Sequence, residues 1–129
     1  MCGGVRFEVL APLDRAVYCH CTRCQRRTGT AAAASAFVAP GQLRVLEGEE
    51  LIRRWQPPEG FAKAFCATCG SHLFTYRAGE DEPAGVRLGV IDGDPGVRPG
   101  LRQYVADAAA WEPIPDDGLP RHPGPRPTS

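Results

Sequence analysis

Six cysteines, grouped as Cys2, Cys19-His20-Cys21-Thr22-Arg23-Cys24 and Cys66-Ala67-Thr68-Cys69-Gly70, constrain this chain more than any other feature. Thiols so closely spaced serve one ion only if the backbone bends around it, so each cluster dictates a local chain path. In extended backbone, residues i and i+2 project from one face. Cys19 and Cys21 can therefore point at one ion while a turn brings in Cys24. In the second cluster, Gly70 permits the tight turn beneath two sulfurs that a metal knuckle needs.

The start Met1-Cys2-Gly3-Gly4 lacks the basic residues and the apolar core of about 7–15 residues of a secretory leader. The longest apolar stretch, Ala31 to Ala39 interrupted by Ser35, falls short of the roughly 20 residues that cross a bilayer. The expectation is a cytoplasmic protein with no membrane partner, where clustered cysteines serve metal or redox chemistry rather than disulfides. A redox C-x-x-C wants a helix starting at Cys66, which Gly70 and Leu73-Phe74-Thr75-Tyr76 oppose.

Two divisions of the thiols remain open. One closes a single zinc ribbon from Cys21, Cys24, Cys66 and Cys69, although ribbon pairs lie about 15–20 residues apart, roughly half the gap seen here. The other gives Cys19, Cys21 and Cys24 one ion and Cys2, Cys66 and Cys69 another. A three-ligand zinc keeps a fourth position for water or substrate, which separates catalytic from structural sites. Three thiolates on Zn²⁺ leave a net charge of −1. Arg23, Arg26 and Arg27 either offset it and seat the carboxylates of an anionic ligand, or form an ordinary solvated charge run. His20, flanked by two ligands, projects to the opposite side and is expected to be packed or to support a ligand rather than coordinate.

A length of 129 residues suits one domain, and fifteen Lys+Arg against fifteen Asp+Glu remove any general attraction to nucleic acid. The chain reads as mainly β. Val5 to Leu10 alternates as a half-buried strand. Phe37-Val38-Ala39, Pro40-Gly41 and Leu43 to Leu46 read as strand, turn, strand, with Ala31 to Ala36 extended ahead of them. Leu51 to Trp55, Leu73 to Arg77, Val86 to Ile91 and Gln103-Tyr104-Val105 are further strand candidates. Trp55, Trp111, Phe65 and Phe74 are expected in the core or lining a pocket, and Asp92 in a turn. Residues 1–115 form the expected domain, followed by a Pro-rich mobile tail over 116–129.

The chain resembles the glutathione-dependent formaldehyde-activating enzyme and centromere protein V family. The resemblance rests on Cys2-Gly3-Gly4-Val5-Arg6-Phe7-Glu8, on Cys19 to Cys24 with Thr28-Gly29, and on Phe65 to Phe74. It continues in Gly89 to Asp92 and Trp111. It implies a single-domain, zinc-bearing β-tent fold of the Mss-four-like type, with a catalytic zinc on Cys19, Cys21 and Cys24. It also places Cys66 and Cys69 on a structural zinc. The family usually begins C-x-C-G; Cys2 matches the second cysteine, and the first would lie one place before Met1, so either the start site has been set too late or the structural ion is completed by water or another group. Arg102 stands where the family carries a later histidine.

The implied activity is that of a zinc-dependent carbon–sulfur lyase or synthase joining a glutathione-like thiol to a formaldehyde-like aldehyde, as in S-(hydroxymethyl)glutathione synthesis. No catalytic residue beyond the zinc ligands is assigned. The competing readings are a non-catalytic zinc module for macromolecular binding and a thiol redox protein.

Overall fold

Short strands separated by glycine and proline turns account for most of the chain. The structure, a computed structural model, describes residues 1–127. In order come β1 (Arg6–Val9), β2 (Ala16–Cys19), α1 (Thr22–Thr28), β3 (Ala33–Phe37), β4 (Leu43–Glu47), β5 (Ile52–Trp55), β6 (Ala62–Cys66), β7 (His72–Tyr76), β8 (Pro83–Arg87) and β9 (Pro99–Gln103). Seven of them form one sheet in the order β5-β6-β7-β8-β3-β2-β9, antiparallel except for the parallel pair β2–β9. β1 and β4 make a separate antiparallel ribbon.

The ribbon covers the sheet through apolar contact. Phe7 of β1 meets Phe74 of β7 edge to face, with centroids 5.0 Å apart. Phe74, Val86, Ala36, Ala64 and Cys66 are among the most deeply buried residues of the core around this contact. β6 and β8 are buried at nearly every position, so both of their faces are covered and their sequences do not alternate.

Several expectations are corrected. Phe37 and Leu43 do lie in strands, but not in a hairpin: β3 belongs to the large sheet and β4 pairs with β1. The Leu10 N–H donates to the Gln42 carbonyl, which draws the chain after the turn toward the ribbon. The Val86 to Ile91 strand stops at Arg87, where Leu88–Val90 tightens into a 3₁₀ turn. The last strand ends at Gln103, because Tyr104 takes left-handed backbone (φ 56°) that no strand accommodates. Trp111 is exposed, Trp55 is half exposed and lines a cavity, and Phe74 is core. Asp92 is exposed and pairs with Arg6.

The Pro-rich segment expected as a tail lies along β9 as far as it is described; residues 128 and 129 fall outside the described residues. Arg102 N–H donates to the Pro120 carbonyl, His122 N–H to Arg102, and Tyr104 N–H to Gly124. The Arg102 guanidinium, on a residue only 8% exposed, donates to Asp117 at 2.8 Å and 3.2 Å. Composition favours disorder here, but unsatisfied β9 backbone groups and a buried cation give the segment partners. Removing residues 116–129 is expected to cost about 2–5 kcal/mol in urea unfolding, from several lost backbone hydrogen bonds. The Arg102 hydrogen bonds hold the Asp117 carboxyl below its ordinary range, so its contribution is present above about pH 4. It is lost as pH falls through the folded-state value, so the gap between full and shortened chains narrows in acid.

Candidate functional site

The first cysteine cluster is built by a strand that runs into a helix. Cys19 closes β2, and its neighbour His20 donates its backbone N–H to Gln103. Cys21 caps α1: its sulfur accepts the Cys24 N–H at 3.3 Å. One helical turn then carries Cys24 back beneath Cys19 and Cys21, and Gly29 at φ 68° ends the helix. The three sulfurs lie within 4.8 Å of one another, with Cys19 and Cys24 buried.

The second cluster joins three remote points. Cys66 ends β6, the chain turns through Gly70 at φ 77°, and the Gly70 N–H donates to the Cys66 carbonyl at 2.7 Å. Cys2 arrives from the other end of the chain, its Sγ 3.8 Å from that of Cys66. These three sulfurs also lie within 4.8 Å of one another. The thiols therefore divide as Cys19/Cys21/Cys24 and Cys2/Cys66/Cys69, not as a ribbon of Cys21, Cys24, Cys66 and Cys69. No helix begins at Cys66, and all six cysteines are free thiols.

Each triad could hold a metal ion. A tetrahedral site with metal–sulfur bonds of about 2.3 Å sets its sulfurs about 3.8 Å apart, which is the Cys2–Cys66 separation. One sulfur in each set is already drawn toward thiolate. The Cys19 and Cys24 thiols, then the Cys24 and Arg23 N–H groups, lower Cys21 to about 2. The Ser71 and Cys2 N–H groups lead in lowering Cys69 to about 6. Cys19 is pushed up by sharing its proton with Cys21 and Cys24 and by burial.

Only the first triad lines the large cleft, about 580 Å³, that opens between α1 and the sheet. Arg23, Lys63 and Arg87 give it positive walls, with Glu59 and Asp107 as its acidic lining. Arg87 is anchored by donating to Ser35 Oγ at 2.9 Å. Arg23 donates to the Glu59 carbonyl at 2.7 Å, and Gly60 leaves room for it, since a Cβ there would stand 2.7 Å from its Nη1.

Of the three arginines singled out by the sequence, only Arg23 reaches this cleft; Arg26 and Arg27 line a neighbouring cavity. Lys63 and Arg87 were not anticipated. In Phe61-Ala62-Lys63-Ala64-Phe65 the alternation of side chains does place Lys63 on the face of the two phenylalanines, a signal available beforehand. His20 points away from the sulfurs as expected: it is 3% exposed, and its Nε2 accepts from Arg102 Nη1 at 3.2 Å. Burial, then the charges of Arg102 and Arg121, lower its pKa and keep the ring neutral. Arg102 thus holds His20 through its ring nitrogen.

The sequence model of the glutathione-dependent formaldehyde-activating enzyme family matches residues 1–107, which include both triads. The chain belongs to this family. Among solved structures it is similar to a crystal structure of a Rhodobacter sphaeroides protein, at 33% identity and a TM-score of 0.52. The match covers 71% of this chain and 84% of that one. No curated protein matches. The family match ends at Asp107, so the segment laid along β9 lies outside it. The fold is mainly β, and no helix among the described residues is long and apolar enough to cross a membrane.

Titration of the reduced, metal-free protein with Co²⁺ is expected to give thiolate-to-cobalt absorption that saturates at two equivalents. Cys21→Ser should remove one equivalent and Cys69→Ser the other; loss of both from either change would mean a single shared site.

Proposed function

We propose that this protein catalyses carbon–sulfur bond formation and its reversal between a thiol and a small aldehyde, with zinc on Cys19, Cys21 and Cys24. The second zinc, on Cys2, Cys66 and Cys69, is structural in this reading. The observation that carries it is the asymmetry of the two triads: one opens into the 580 Å³ cleft, while the other does not line it. An all-sulfur donor set favours zinc among the common divalent ions, and zinc in an open site supplies Lewis acidity that favours the thiolate form of a bound thiol.

The chain's own groups do the rest. The cleft seats the thiol with its sulfur at the triad and excludes bulk water from the Cys19 and Cys24 side, where the walls are buried. Lys63 and Arg87 bring fixed positive charge to a region where the thiol becomes an anion and the aldehyde oxygen acquires negative charge during attack. Their fields act at Cys24. The thiolate sulfur bonds to the carbonyl carbon, the C=O π electrons move to oxygen, and that oxygen takes a proton to give a hemithioacetal. The proton released by the thiol balances the one taken up, so no oxidant or reductant enters. Six cysteines without a disulfide among them suit a reducing compartment, and a cytoplasmic location is part of this proposal.

Glutathione and formaldehyde, named in the family description, are the first pair to test. Zinc-loaded protein is expected to accelerate adduct formation, followed by NMR exchange, over stripped protein. Arg87→Ala should lower the rate about tenfold or more by removing one fixed donor. Equal rates with loaded, stripped and omitted protein would sink the enzymatic reading and leave a non-catalytic metal module.

A further inference from the structure

A second cavity of about 560 Å³ adjoins the first and shares Thr22, Arg23 and Lys63 with it. Arg26, Arg27, His72 and Trp55 complete its walls, and no acidic side chain lines it. Six arginines pair with carboxylates, Arg6 with Asp92, Arg15 with Asp14, Arg44 with Glu8, Arg54 with Asp81, Arg98 with Asp94 and Arg102 with Asp117, whereas five scattered ones, Arg53, Arg77, Arg87, Arg121 and Arg126, do not among the described residues. Among the described residues, Arg23, Arg26, Arg27 and Lys63 have no such partner.

Lys63 is the most telling of these. It is only 8% exposed, is the second residue of β6, and its side chain has neither an ion pair nor a hydrogen bond among the described residues. Its stem is enclosed while its ammonium, which no protein group neutralises, reaches the cavity, and the partial burial lowers its pKa. Nothing in the packing of Ala62 and Ala64 requires a lysine between them. Arg23 and Arg27 are each fixed by a single bond to a backbone carbonyl, Glu59 at 2.7 Å and Ala64 at 3.2 Å, which leaves their other donors free. Arg26 is exposed and unattached.

We propose that this cavity binds a phosphate-type dianion among Arg23, Arg26, Arg27 and Lys63. It follows, on the reaction reading given above, that the preferred thiol is a phosphate ester long enough to span both cavities, with its sulfur at Cys19, Cys21 and Cys24. Four cations without an acid suit a group carrying close to two negative charges, and guanidinium donors match its oxygens in pairs. The acids that could meet an ammonium, Glu59 and Asp107, line the first cleft, which leaves this cavity to a purely anionic group. Trp55, half exposed at the rim, offers an apolar wall to the chain joining sulfur and phosphate.

Inorganic pyrophosphate, titrated calorimetrically at low ionic strength, reads the site independently of any carbon–sulfur chemistry. Binding is expected, weakening with added salt, and Arg26→Gln should weaken it about tenfold. Arg26 is exposed, so its melting temperature should not move; Lys63→Met, which keeps the buried stem, should weaken binding at least as much. Absence of binding at millimolar pyrophosphate, or binding unchanged in both variants, would overturn the proposal. The second measurement compares 4′-phosphopantetheine with pantetheine as the thiol reacting with formaldehyde. A kcat/KM about tenfold higher for the phosphate ester, reduced toward unity by Arg26→Gln, supports the spanning substrate; equal values overturn the spanning. Pyrophosphate binding that depends on Arg26, with no thiol reacting, upholds the dianion site and overturns the reaction reading instead.

Discussion

Three sulfurs held within 4.8 Å of one another cannot all be ionised without a counter-charge, and this is the constraint around which the molecule is arranged. Two unit charges 4 Å apart near a protein surface repel by about 4 kcal/mol, so a bare triad keeps at most one thiolate and shares the remaining protons. Cys21 and Cys69 are the sulfurs that take the charge, because backbone N–H groups as well as neighbouring thiols point at them. A dication resolves the conflict for all three at once. Both triads pose the same electrostatic problem, yet the fold surrounds them differently: one ends in a cleft walled by Lys63 and Arg87, the other in a turn at the end of β6.

β6 ties the two together. Cys66 stands at its end and Lys63 three residues earlier, with β5 on one side and β7 on the other. The register of that strand therefore sets both the second triad and the positive wall of the cleft. Slipping it by one residue would turn Lys63 to the opposite face and carry Cys66 away from Cys2. One strand thus supplies a sulfur to the second triad and a wall residue to the cleft of the first, while the triads themselves stand on different elements.

Much of the site was legible in the residues because it is local. The spacing of Cys19, Cys21 and Cys24 and the Gly70 turn decide where those sulfurs go with little help from the rest of the chain. Strands covered on one face only, such as β1, alternate and are readable. β2 and β6 were missed because both of their faces are covered, so Ala-Val-Tyr-Cys and Ala-Lys-Ala-Phe-Cys carry no period of two. α1 escaped notice for another reason: its cap is a cysteine sulfur instead of the usual Ser, Thr, Asp or Asn. The course of the Pro-rich segment was illegible because its partners, the β9 backbone and Arg102, are supplied by the tertiary structure and leave no trace in local composition.

The parallel pairing of β2 with β9 has a further consequence, for the order of assembly. The strand that delivers Cys19 is completed only when residues some eighty positions later reach it, and the second triad joins sulfurs 64 residues apart in Cys2 and Cys66. By contrast, the loop from Cys19 to Cys24 closes within a single turn of helix, at a small cost in chain entropy. The first triad can thus form on an emerging chain before any sheet exists to shelter it. Of the two triads, the one beside the cleft is therefore the cheaper to assemble in chain entropy, and the one that joins Cys2 to Cys66 the dearer.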